Sequence, residues 1–504
     1  MMFFKITLII AYGYWTQYGQ NYSNTHLQTT KGAMSEAPVV KWSYRTGNWV
    51  ESFNPGLGEV VSYNPGPEIV VGSQTDTLYC FSGYTGSLLW KYGAGADIYS
   101  APCISDLDRD GNPEVLFGTC GTGGGSLFCL NGGAGTLKWK YTPPSPSTTY
   151  SPIAYDLDDD GLDEVLFMDD WYIYCLQHDG TLWWSHLNAG GVSTPAVADI
   201  NRDGLPEIVV GAGNVLWYYR RNGTVFRQII LPSGVDTSSP AVADVNNDGK
   251  TDVLIGCLDG HLYCYDSLGT QVWRYPSVGA VGLVKSGVAI GDMDGNGSLE
   301  VVFGSEDGKV YCLRGSDGSL MWNYTIGSGV HRTPALADVD GDGGLEVVVP
   351  NRGGGLLYCL NTDGSLLWTK ALAEDLHDPT IGDIDDDNCI EIMLGTHTNA
   401  TADFWVLDDF LNATGCGPVY EGIEEDLGEG FDFRTMGKGI YLFMPSSDQV
   451  SLSLYDAGGR LLQRLYEGVL GQGGHTFIPN TKTNGIYLAV LRYRGGTKTL
   501  KIVR

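Results

Sequence analysis

Short stretches of apolar and small residues alternate with acidic stretches along most of the chain. A typical unit, SSPAVADVNNDGKTDVLIG at 238–256, passes from a small-residue segment into acids and amides and then returns to an apolar segment. The apolar segments are too short for helices and have no polar face, which is typical of strands buried on both sides. The pattern therefore predicts an all-β chain built from many short strands.

The acidic stretch occurs seven times at a nearly constant spacing. Its copies begin at Asp106, Asp156, Asp199, Asp244, Asp292, Asp338 and Asp383. Successive starts are 50, 43, 45, 48, 46 and 45 residues apart, and a degenerate eighth copy at 60–68 keeps only Glu68. A fixed period in this range is typical of a propeller or a solenoid.

Each repeat contains the pattern of four strands. A small-residue strand enters the acidic loop, an apolar strand leaves it, an aromatic strand carries a cysteine, and a last strand carries a tryptophan. The recurrent cysteines, interpreted as small buried apolar residues, are Cys80, Cys129, Cys175, Cys264, Cys312 and Cys359. The tryptophans are Trp90, Trp139, Trp184, Trp273, Trp322 and Trp368, and the fourth repeat has Arg227 instead. The other five cysteines could form disulfides, whose pairing the sequence does not reveal.

The two ends of the repeat region complement each other. The last repeat, which begins at Asp383, has no tryptophan strand after it, whereas VVKWSYRTG at 39–47 is such a strand with no repeat before it. Pairing these pieces closes a ring and leaves no exposed sheet edge. We therefore predict an eight-bladed β-propeller over residues 39–410, closed by the N-terminal strand. The alternative, a linear solenoid, would need polar capping repeats.

Six of the acidic loops follow the pattern D-x-[DN]-x-[DN]-G-x-x-[DE], and the seventh has Asn388 in place of the glycine. Side chains at positions 1, 3, 5 and 9 of this pattern can converge on one point. Hard oxygen ligands in this number suit Ca²⁺ better than Mg²⁺. The alternative is that Asp and Asn are ordinary turn formers, but seven copies favour about seven calcium sites. The candidate ligands are Asp106, Asp108, Asp110, Glu114, Asp156, Asp158, Asp160, Glu164, Asp199, Asn201, Asp203, Glu207, Asp244, Asn246, Asp248, Asp252, Asp292, Asp294, Asn296, Glu300, Asp338, Asp340, Asp342, Glu346, Asp383, Asp385, Asp387 and Glu391.

The net charge and the N-terminal residues limit which partners and which cellular location are compatible with the sequence. The formal net charge of −29 argues against nucleic acid as a partner. Residues 1–20 have one lysine followed by a short apolar core, which predicts a secretory signal peptide, and a linker is predicted over 21–38. No later stretch is apolar for long enough to span a membrane. The expectation is a monomer that is secreted or held on the outer cell surface.

The repeats resemble two known families. SGVAIGDMDGNGSLEVVFGS and SSPAVADVNNDGKTDVLIGC are similar to FG-GAP/VCBS repeats, the calcium-loop blades of integrin-type propellers. VYCLRGSDGSLMWNY resembles the PQQ-type quinoprotein repeat, which also builds eight-bladed rings. The resemblance covers nearly all of 39–410 and implies metal in the loop between the first and second strands of each blade. It implies no single activity.

A different β unit follows the propeller. Residues 411–430 are predicted to be a linker, and residues 431–504 show a new strand pattern with alternating Val450, Leu452 and Leu454. VSLSLYDAGGRLLQRL, GGHTF, NGIYLAVLR and TKTLKIVR resemble the C-terminal sorting domain of the type IX secretion system and the related FlgD-type immunoglobulin-like domain. This implies a small β-sandwich that the export machinery of a Bacteroidota-like bacterium recognises. MPSSD departs from the Pro-Asn-Pro stretch of many sorting domains, so a purely structural role stays open.

Catalytic signatures are sparse, because the chain has no G-x-S-x-G, H-E-x-x-H, P-loop or dinucleotide fingerprint. The hypothesis is that connections entering the first strands form a mouth that binds a glycan or a surface protein, lined by Tyr99, Tyr150, Lys285, His331, Arg332 and His377. The alternative is that these are ordinary polar rim residues. We expect a calcium-binding adhesion module rather than an enzyme. A polysaccharide lyase, a quinoprotein-type dehydrogenase and a structural surface-layer component are the alternatives.

Overall fold

A computed structural model describes most of the chain. The described residues are 20–21, 24–47, 50, 54–62, 64, 66–120, 125–144, 150–188, 190, 193–351, 353–372, 375–385, 389–396, 404–409, 432–436, 439–444, 448–456, 461–470, 473–477, 486–493 and 496–503. The predicted signal peptide up to residue 19, the linker at 411–430 and Asp387 lie outside them. The chain divides into two compact units, one with strands β1–β32 and one with strands β33–β39.

The larger unit is an eight-bladed β-propeller, as predicted. Each blade is a four-stranded antiparallel sheet, and seven of the blades use four consecutive strands. Blade 1 contains β2 (Gly56–Gly58), β3 (Glu68–Ser73), β4 (Thr77–Ser82) and β5 (Leu88–Gly93), and blade 2 contains β6 (Cys103–Ser105), β7 (Glu114–Gly118), β8 (Leu127–Asn131) and β9 (Thr136–Tyr141). Blade 3 contains β10 (Ile153–Tyr155), β11 (Glu164–Met168), β12 (Tyr172–Leu176) and β13 (Leu182–Leu187), and blade 4 contains β14 (Ala196–Ala198), β15 (Glu207–Ala212), β16 (Val215–Arg220) and β17 (Val225–Ile230).

The other four blades complete the ring. Blade 5 contains β18 (Ala241–Ala243), β19 (Asp252–Gly256), β20 (Leu262–Tyr265) and β21 (Gln271–Tyr275), and blade 6 contains β22 (Val288–Gly291), β23 (Glu300–Ser305), β24 (Lys309–Arg314) and β25 (Leu320–Thr325). Blade 7 contains β26 (Ala335–Ala337), β27 (Glu346–Pro350), β28 (Leu356–Leu360) and β29 (Leu366–Ala371), and blade 8 contains β30 (Thr380–Gly382), β31 (Glu391–Gly395), β32 (Phe404–Asp408) and β1 (Val39–Tyr44). Strand β1 pairs antiparallel with β32, with Ser43 opposite Trp405. This pairing confirms that the N-terminal strand closes the ring.

The second and third strands of the blades form the core. The second strands are buried along their whole length, because they lie between two neighbouring strands and two neighbouring blades. The six recurrent cysteines are buried free thiols on the third strands, which confirms their interpretation as core residues. Among the remaining cysteines, Cys103, Cys120 and Cys257 are free thiols and Cys389 is in a disulfide.

Outer-strand tryptophans connect successive blades. The ring of Trp90 lies so close to Gly135, in the turn between the third and fourth strands of the next blade, that a Cβ there would be 2.6 Å from it. Gly135 also has a φ of 61°, which disfavours other residues. The same contact recurs for the pairs Trp42–Gly86, Trp139–Gly180, Trp184–Gly223, Trp273–Gly318 and Trp322–Gly364. In the fourth blade, where the tryptophan is missing, Arg227 and Ile229 pack on Gly269 instead.

Residues 24–34, within the predicted linker, line the inside of the ring and are called the channel segment. Leu27 forms a parallel bridge with Leu336 on the free inner edge of β26. The N–H of Gln28 donates to the carbonyl of Leu336 at 2.8 Å, and the Gln28 Nε2 donates to the carbonyl of Ile381 at 2.8 Å. The Asn24 Nδ2 donates to the carbonyls of Pro195 and Pro240, in front of blades 4 and 5. The channel segment is therefore part of the propeller rather than a free linker.

The smaller unit contains two antiparallel sheets. One sheet has the order β33 (Asp432–Met436), β34 (Gly439–Met444) and β37 (Gly473–Phe477). The other has the order β36 (Leu461–Leu470), β35 (Asp448–Asp456), β38 (Ile486–Tyr493) and β39 (Gly496–Val503). The backbone of β35 places Val450 and Leu452 on one face, and both are buried. Within the described part of the chain, no helix is long and apolar enough to cross a membrane.

Candidate functional site

The acidic loops connect the first and second strands of blades 2 to 8. In blade 3, β10 ends at Tyr155 and β11 begins at Glu164, so the loop is held at both ends by the same sheet. Since the first strands of all blades run in the same direction along the channel, all seven loops lie at one end of the ring. The last acidic position of each loop is the first residue of the second strand, and the first acidic position directly follows the first strand.

The loop of blade 3 folds on its own carboxylates. Asp156 Oδ2 accepts a hydrogen bond from the N–H of the loop glycine at 3.1 Å. Asp158 Oδ1 and Asp160 Oδ1 each accept from the N–H two residues later, at 3.2 and 2.8 Å. Glu164 Oε2 accepts from the N–H of Leu157 at 2.9 Å. These bonds use one oxygen of each carboxylate and leave the other oxygen for a ligand.

In five of the loops, carboxylates at positions 1, 3 and 9 cluster. One oxygen from each of the three residues lies within 4.8 Å of the others. The groups are Asp106, Asp108 and Glu114; Asp156, Asp158 and Glu164; Asp292, Asp294 and Glu300; Asp338, Asp340 and Glu346; Asp383, Asp385 and Glu391. The loops of blades 4 and 5 have an asparagine at position 3 and therefore two acids near this point. In blade 4, Asn201 Nδ2 donates to Glu207 Oε1 at 2.6 Å.

Several buried oxygens in these loops have no hydrogen-bond partner, which is the condition that a bound cation would relieve. They include Glu164 Oε1, both carboxylate oxygens of Asp252, and Asp338 Oδ1. Burial raises the pKa of Glu164 to about 7 and that of Glu346 to about 8, and neighbouring aspartates add to the increase. The donor set is made of hard carboxylate oxygens and carries a high negative charge. It fits a divalent cation such as Ca²⁺.

Two of the acidic loops are contacted by a lysine from the outer strand of the same blade, which the motif analysis missed. Lys138 Nζ lies 2.6 Å from Asp108 Oδ2 and 2.8 Å from Glu114 Oε1 in blade 2. In blade 8, Lys41 Nζ lies 2.8 Å from Asp385 Oδ2 and 3.0 Å from Glu391 Oε1. Both lysines directly precede an outer-strand tryptophan, so the dipeptide Lys-Trp at 41–42 and 138–139 was the available sequence signal.

The predicted mouth residues lie at the opposite end of the ring, on the connections that enter the first strands. The structure brings Lys285 and His331 together, because both reach Glu306 on the connection between β23 and β24. His331 Nε2 is 2.8 Å and Lys285 Nζ is 3.7 Å from Glu306 Oε1. Lys285 Nζ is also 3.0 Å from Asp236 Oδ2. The result is a charged cluster of partly buried groups, whose acidic members had not been predicted.

The remaining mouth residues have other polar partners. Arg332 reaches His377 Nε2 at 3.2 Å. Tyr99 accepts a hydrogen bond from Gln74 Nε2 at 2.9 Å. Tyr150 donates to Asp170 Oδ1 at 2.9 Å, and burial together with this carboxylate raises the pKa of Tyr150. Thus each predicted mouth residue has a polar neighbour.

Comparison with known proteins identifies the repeats and the fold. Residues 106–167, 156–210, 199–255, 244–303 and 292–349 match the FG-GAP-like repeat family, so the chain carries five FG-GAP-like repeats. No curated protein sequence matches the chain.

Several solved structures have a similar fold at low sequence identity. BamB from Moraxella catarrhalis is 16% identical with a TM-score of 0.51, over 74% of this chain and 100% of that chain. The biofilm matrix protein Bap1 of V. cholerae is 15% identical with a TM-score of 0.54, over 74% and 91%. Quinohemoprotein alcohol dehydrogenase from Comamonas testosteroni is 11% identical with a TM-score of 0.58, over 83% of both chains. At these identities the likeness concerns the fold alone.

Proposed function

We propose that this chain is a secreted or cell-surface calcium-binding β-propeller that acts as a binding or adhesion module. The observation that carries the proposal is the set of buried carboxylate oxygens without partners in the repeated loops, such as Glu164 Oε1 and Asp338 Oδ1. Buried charges without partners are costly, and Ca²⁺ would neutralise them and fix the loops. Calcium would thus hold one end of the ring rigid while the other end presents a binding surface.

The charged mouth is the proposed binding surface. Glu306, Lys285 and His331 present both donors and acceptors within one cluster, as recognition of a polar ligand such as a glycan requires. The similar fold of Bap1, a biofilm matrix protein, also agrees with an extracellular role. A glycan or a surface protein is the ligand class proposed for this mouth.

An enzyme is the alternative, since some proteins of similar fold are alcohol dehydrogenases. The channel segment favours a binding module, because Asn24 and Gln28 occupy space along the axis in front of blades 4, 5, 7 and 8. Quinone absorbance in the purified protein would favour the dehydrogenase. New ultraviolet absorbance on pectic substrates would favour a lyase.

The experiment that tests the binding proposal is a glycan array probed with the intact chain, with calcium and with chelator. We expect calcium-dependent binding that Lys285→Met and His331→Ala reduce. Lys91→Met, on an exposed position of the outer strand β5, is the matched control. Binding that the mouth variants leave unchanged would contradict the proposed surface, and a chain that binds no calcium would contradict the metal assignment.

For export, we propose the type IX route through residues 431–504, which rests on the resemblance of that segment to sorting domains. Deleting these residues in a bacterium with this secretion system should leave the propeller inside the cell. Secretion of the truncated chain at the normal level would remove the proposed role of this segment.

A further inference from the structure

Lys138 and Lys41 occupy equivalent places in two blades. Lys138 lies on β9, the outer strand of blade 2, and Lys41 lies on β1, the outer strand of blade 8. Each side chain crosses its own sheet and places the ammonium between the carboxylates at loop positions 3 and 9, at distances of 2.6 to 3.0 Å. In blade 8 the ammonium is also 2.9 Å from Asp408 Oδ2.

The other blades with acidic loops have no lysine at this position. The residues at the equivalent position in those blades are Trp183, Phe226, Val272, Met321 and Leu367. Buried carboxylate oxygens without a hydrogen-bond partner occur in blades 3, 5 and 7, on Glu164, Asp252 and Asp338, and also in blades 2 and 8, on Asp106 and Asp385. The difference between the blades lies at loop positions 3 and 9, where the carboxylates of blades 2 and 8 contact a lysine of their own outer strand and, among the described residues, those of blades 3 to 7 face no lysine there. In blade 7 a lysine lies near position 1 instead, because the Nζ of Lys31, whose side chain is 62% exposed, is 3.6 Å from Asp338 Oδ2.

The internal ammonium and a metal ion compete for the same oxygens. Positions 3 and 9 contribute two of the three clustered carboxylates in each loop, and both are in contact with the lysine in blade 2. A calcium ion at that point would have to displace an ammonium that makes two charge-assisted hydrogen bonds. The Lys41 side chain is only 14% exposed, so its displacement would also strand a positive charge against buried groups. Asp106 Oδ1 remains without a partner, which shows that the ammonium covers two of the three acids and not the third.

We propose that Lys138 and Lys41 are built-in cations that take the place of Ca²⁺ in blades 2 and 8, so that the metal is confined to the loops of blades 3 to 7. This inference rests on the calcium binding proposed above and specifies which loops use it. Blades 2 and 8 flank blade 1, whose loop has lost all its acids except Glu68. There the Asn64 amide donates to Glu68 Oε1 at 2.7 Å. The three blades around the closure of the ring would then hold together without metal.

The test is the calcium content of the full chain, measured by mass spectrometry after removal of free metal and by calorimetric titration. We expect about five ions per chain, one for each of blades 3 to 7. Lys138→Met and Lys41→Met should each add about one ion, and the double variant about two. Lys140→Met is the matched control, because Lys140 lies on the same strand as Lys138 and its ammonium lies 4.6 Å from the centre of the Phe128 ring, away from the loop.

A second pair of variants tests the inference without removing a lysine. Glu164→Gln should lower the calcium content by about one ion, whereas Glu114→Gln should leave it unchanged. A wild-type content of about seven, or lysine variants that bind no more calcium than the wild type, would overturn the inference while calcium binding itself stands. No calcium in any variant would overturn the underlying metal assignment instead.

Discussion

The indole Nε1 of Trp368 donates a hydrogen bond of 2.7 Å to the carbonyl oxygen of Met34. In blades 2, 3, 5 and 6 the corresponding indole donates to a carbonyl in the turn between the third and fourth strands of the next blade, as Trp322 does to Thr362 at 2.8 Å. Blade 8 takes its third strand from the end of the repeat region and its fourth strand from the start, so the two strands share no turn. The end of the channel segment supplies the missing carbonyl. The channel segment therefore contributes to the closure of the ring.

A substitution at Gly32 tests how much the channel segment contributes to the stability of the propeller. A Cβ at this position would overlap the carbonyl oxygen of Val339 and approach Ile390 Cγ1 to 2.9 Å. Gly32→Ala should therefore push the segment off β26 and lower the free energy of unfolding by roughly 1–3 kcal/mol. Gly93→Ala is the control, since no heavy atom lies within 4 Å of a Cβ there. Thermal melts in which the two variants unfold at the same temperature would contradict the role of the segment.

The tryptophan contacts between blades should carry a large share of the stability. Trp273 is 7% exposed, packs on Gly318 and donates to the carbonyl of Gly315 at 2.8 Å. Trp273→Ala should cost about 3–5 kcal/mol, because it leaves a cavity between two blades. Trp171→Ala, at a position that is 50% exposed, should change stability by less than about 0.5 kcal/mol. Denaturant titration of both variants gives the comparison, and equal losses would argue against the inter-blade contact as the cause.

Calcium should stabilise the folded chain, and Glu164 should carry part of that effect. Ca²⁺ at 100 times its dissociation constant adds about 2.7 kcal/mol for each site that binds only the folded state. Glu164→Gln should reduce the calcium-induced rise in melting temperature. In chelator, the same variant should melt no lower than the wild type, because it removes a buried carboxyl whose pKa is raised to about 7. Glu36→Gln, at an exposed position, should follow the wild type in both conditions. A loss of stability in both conditions would indicate a structural defect rather than a lost ligand.

The number of blades and the ring closure could be predicted because each depends on a periodic signal. The acidic loops fix the period, and Trp42 is the fourth-strand residue that the last repeat lacks. The channel segment could not be predicted from its pattern, since most of its contacts are backbone hydrogen bonds that any sequence can make. Asn24 and Gln28 add amide hydrogen bonds, and amides are equally common in free linkers.

The acidic loops were also predictable only in part. The motif located every position that clusters in the structure, because all of these positions lie close together in one short loop. Lys138 lies 30 residues from Asp108 along the chain, and only the antiparallel register of β7, β8 and β9 brings its strand beside the loop. The charged cluster at the mouth was also only partly predicted from the sequence. Lys285 and His331 were identified, but Glu306, on a different connection, was not.

Asp378 occupies a place that a hydroxyl fills in other blades. Its Oδ1 accepts a hydrogen bond from the N–H of Thr333 at 3.2 Å. Ser151 Oγ accepts from the N–H of Ala101 in the same way, at 2.9 Å, between blades 2 and 3. Burial raises the pKa of Asp378 from 3.8 to about 7, although Arg332 opposes the increase. Blade 8 therefore carries an acid at an inter-blade position where a neutral hydroxyl makes the same bond.

This pKa sets the sign of a pH effect. Since the folded-state pKa is above the unfolded value of 3.8, the folded chain binds the proton more tightly. The contribution of this group to stability is complete below about pH 3.8 and is lost as the pH rises to about 7. Asp378→Ser keeps an acceptor for Thr333 without a charge, so it should gain roughly 2–3 kcal/mol relative to the wild type between pH 5 and pH 8. The measurement is denaturant unfolding at both pH values in saturating calcium, which keeps the loop carboxylates ionised. A variant that loses stability between the two pH values as steeply as the wild type would show that Asp378 is already ionised at pH 5.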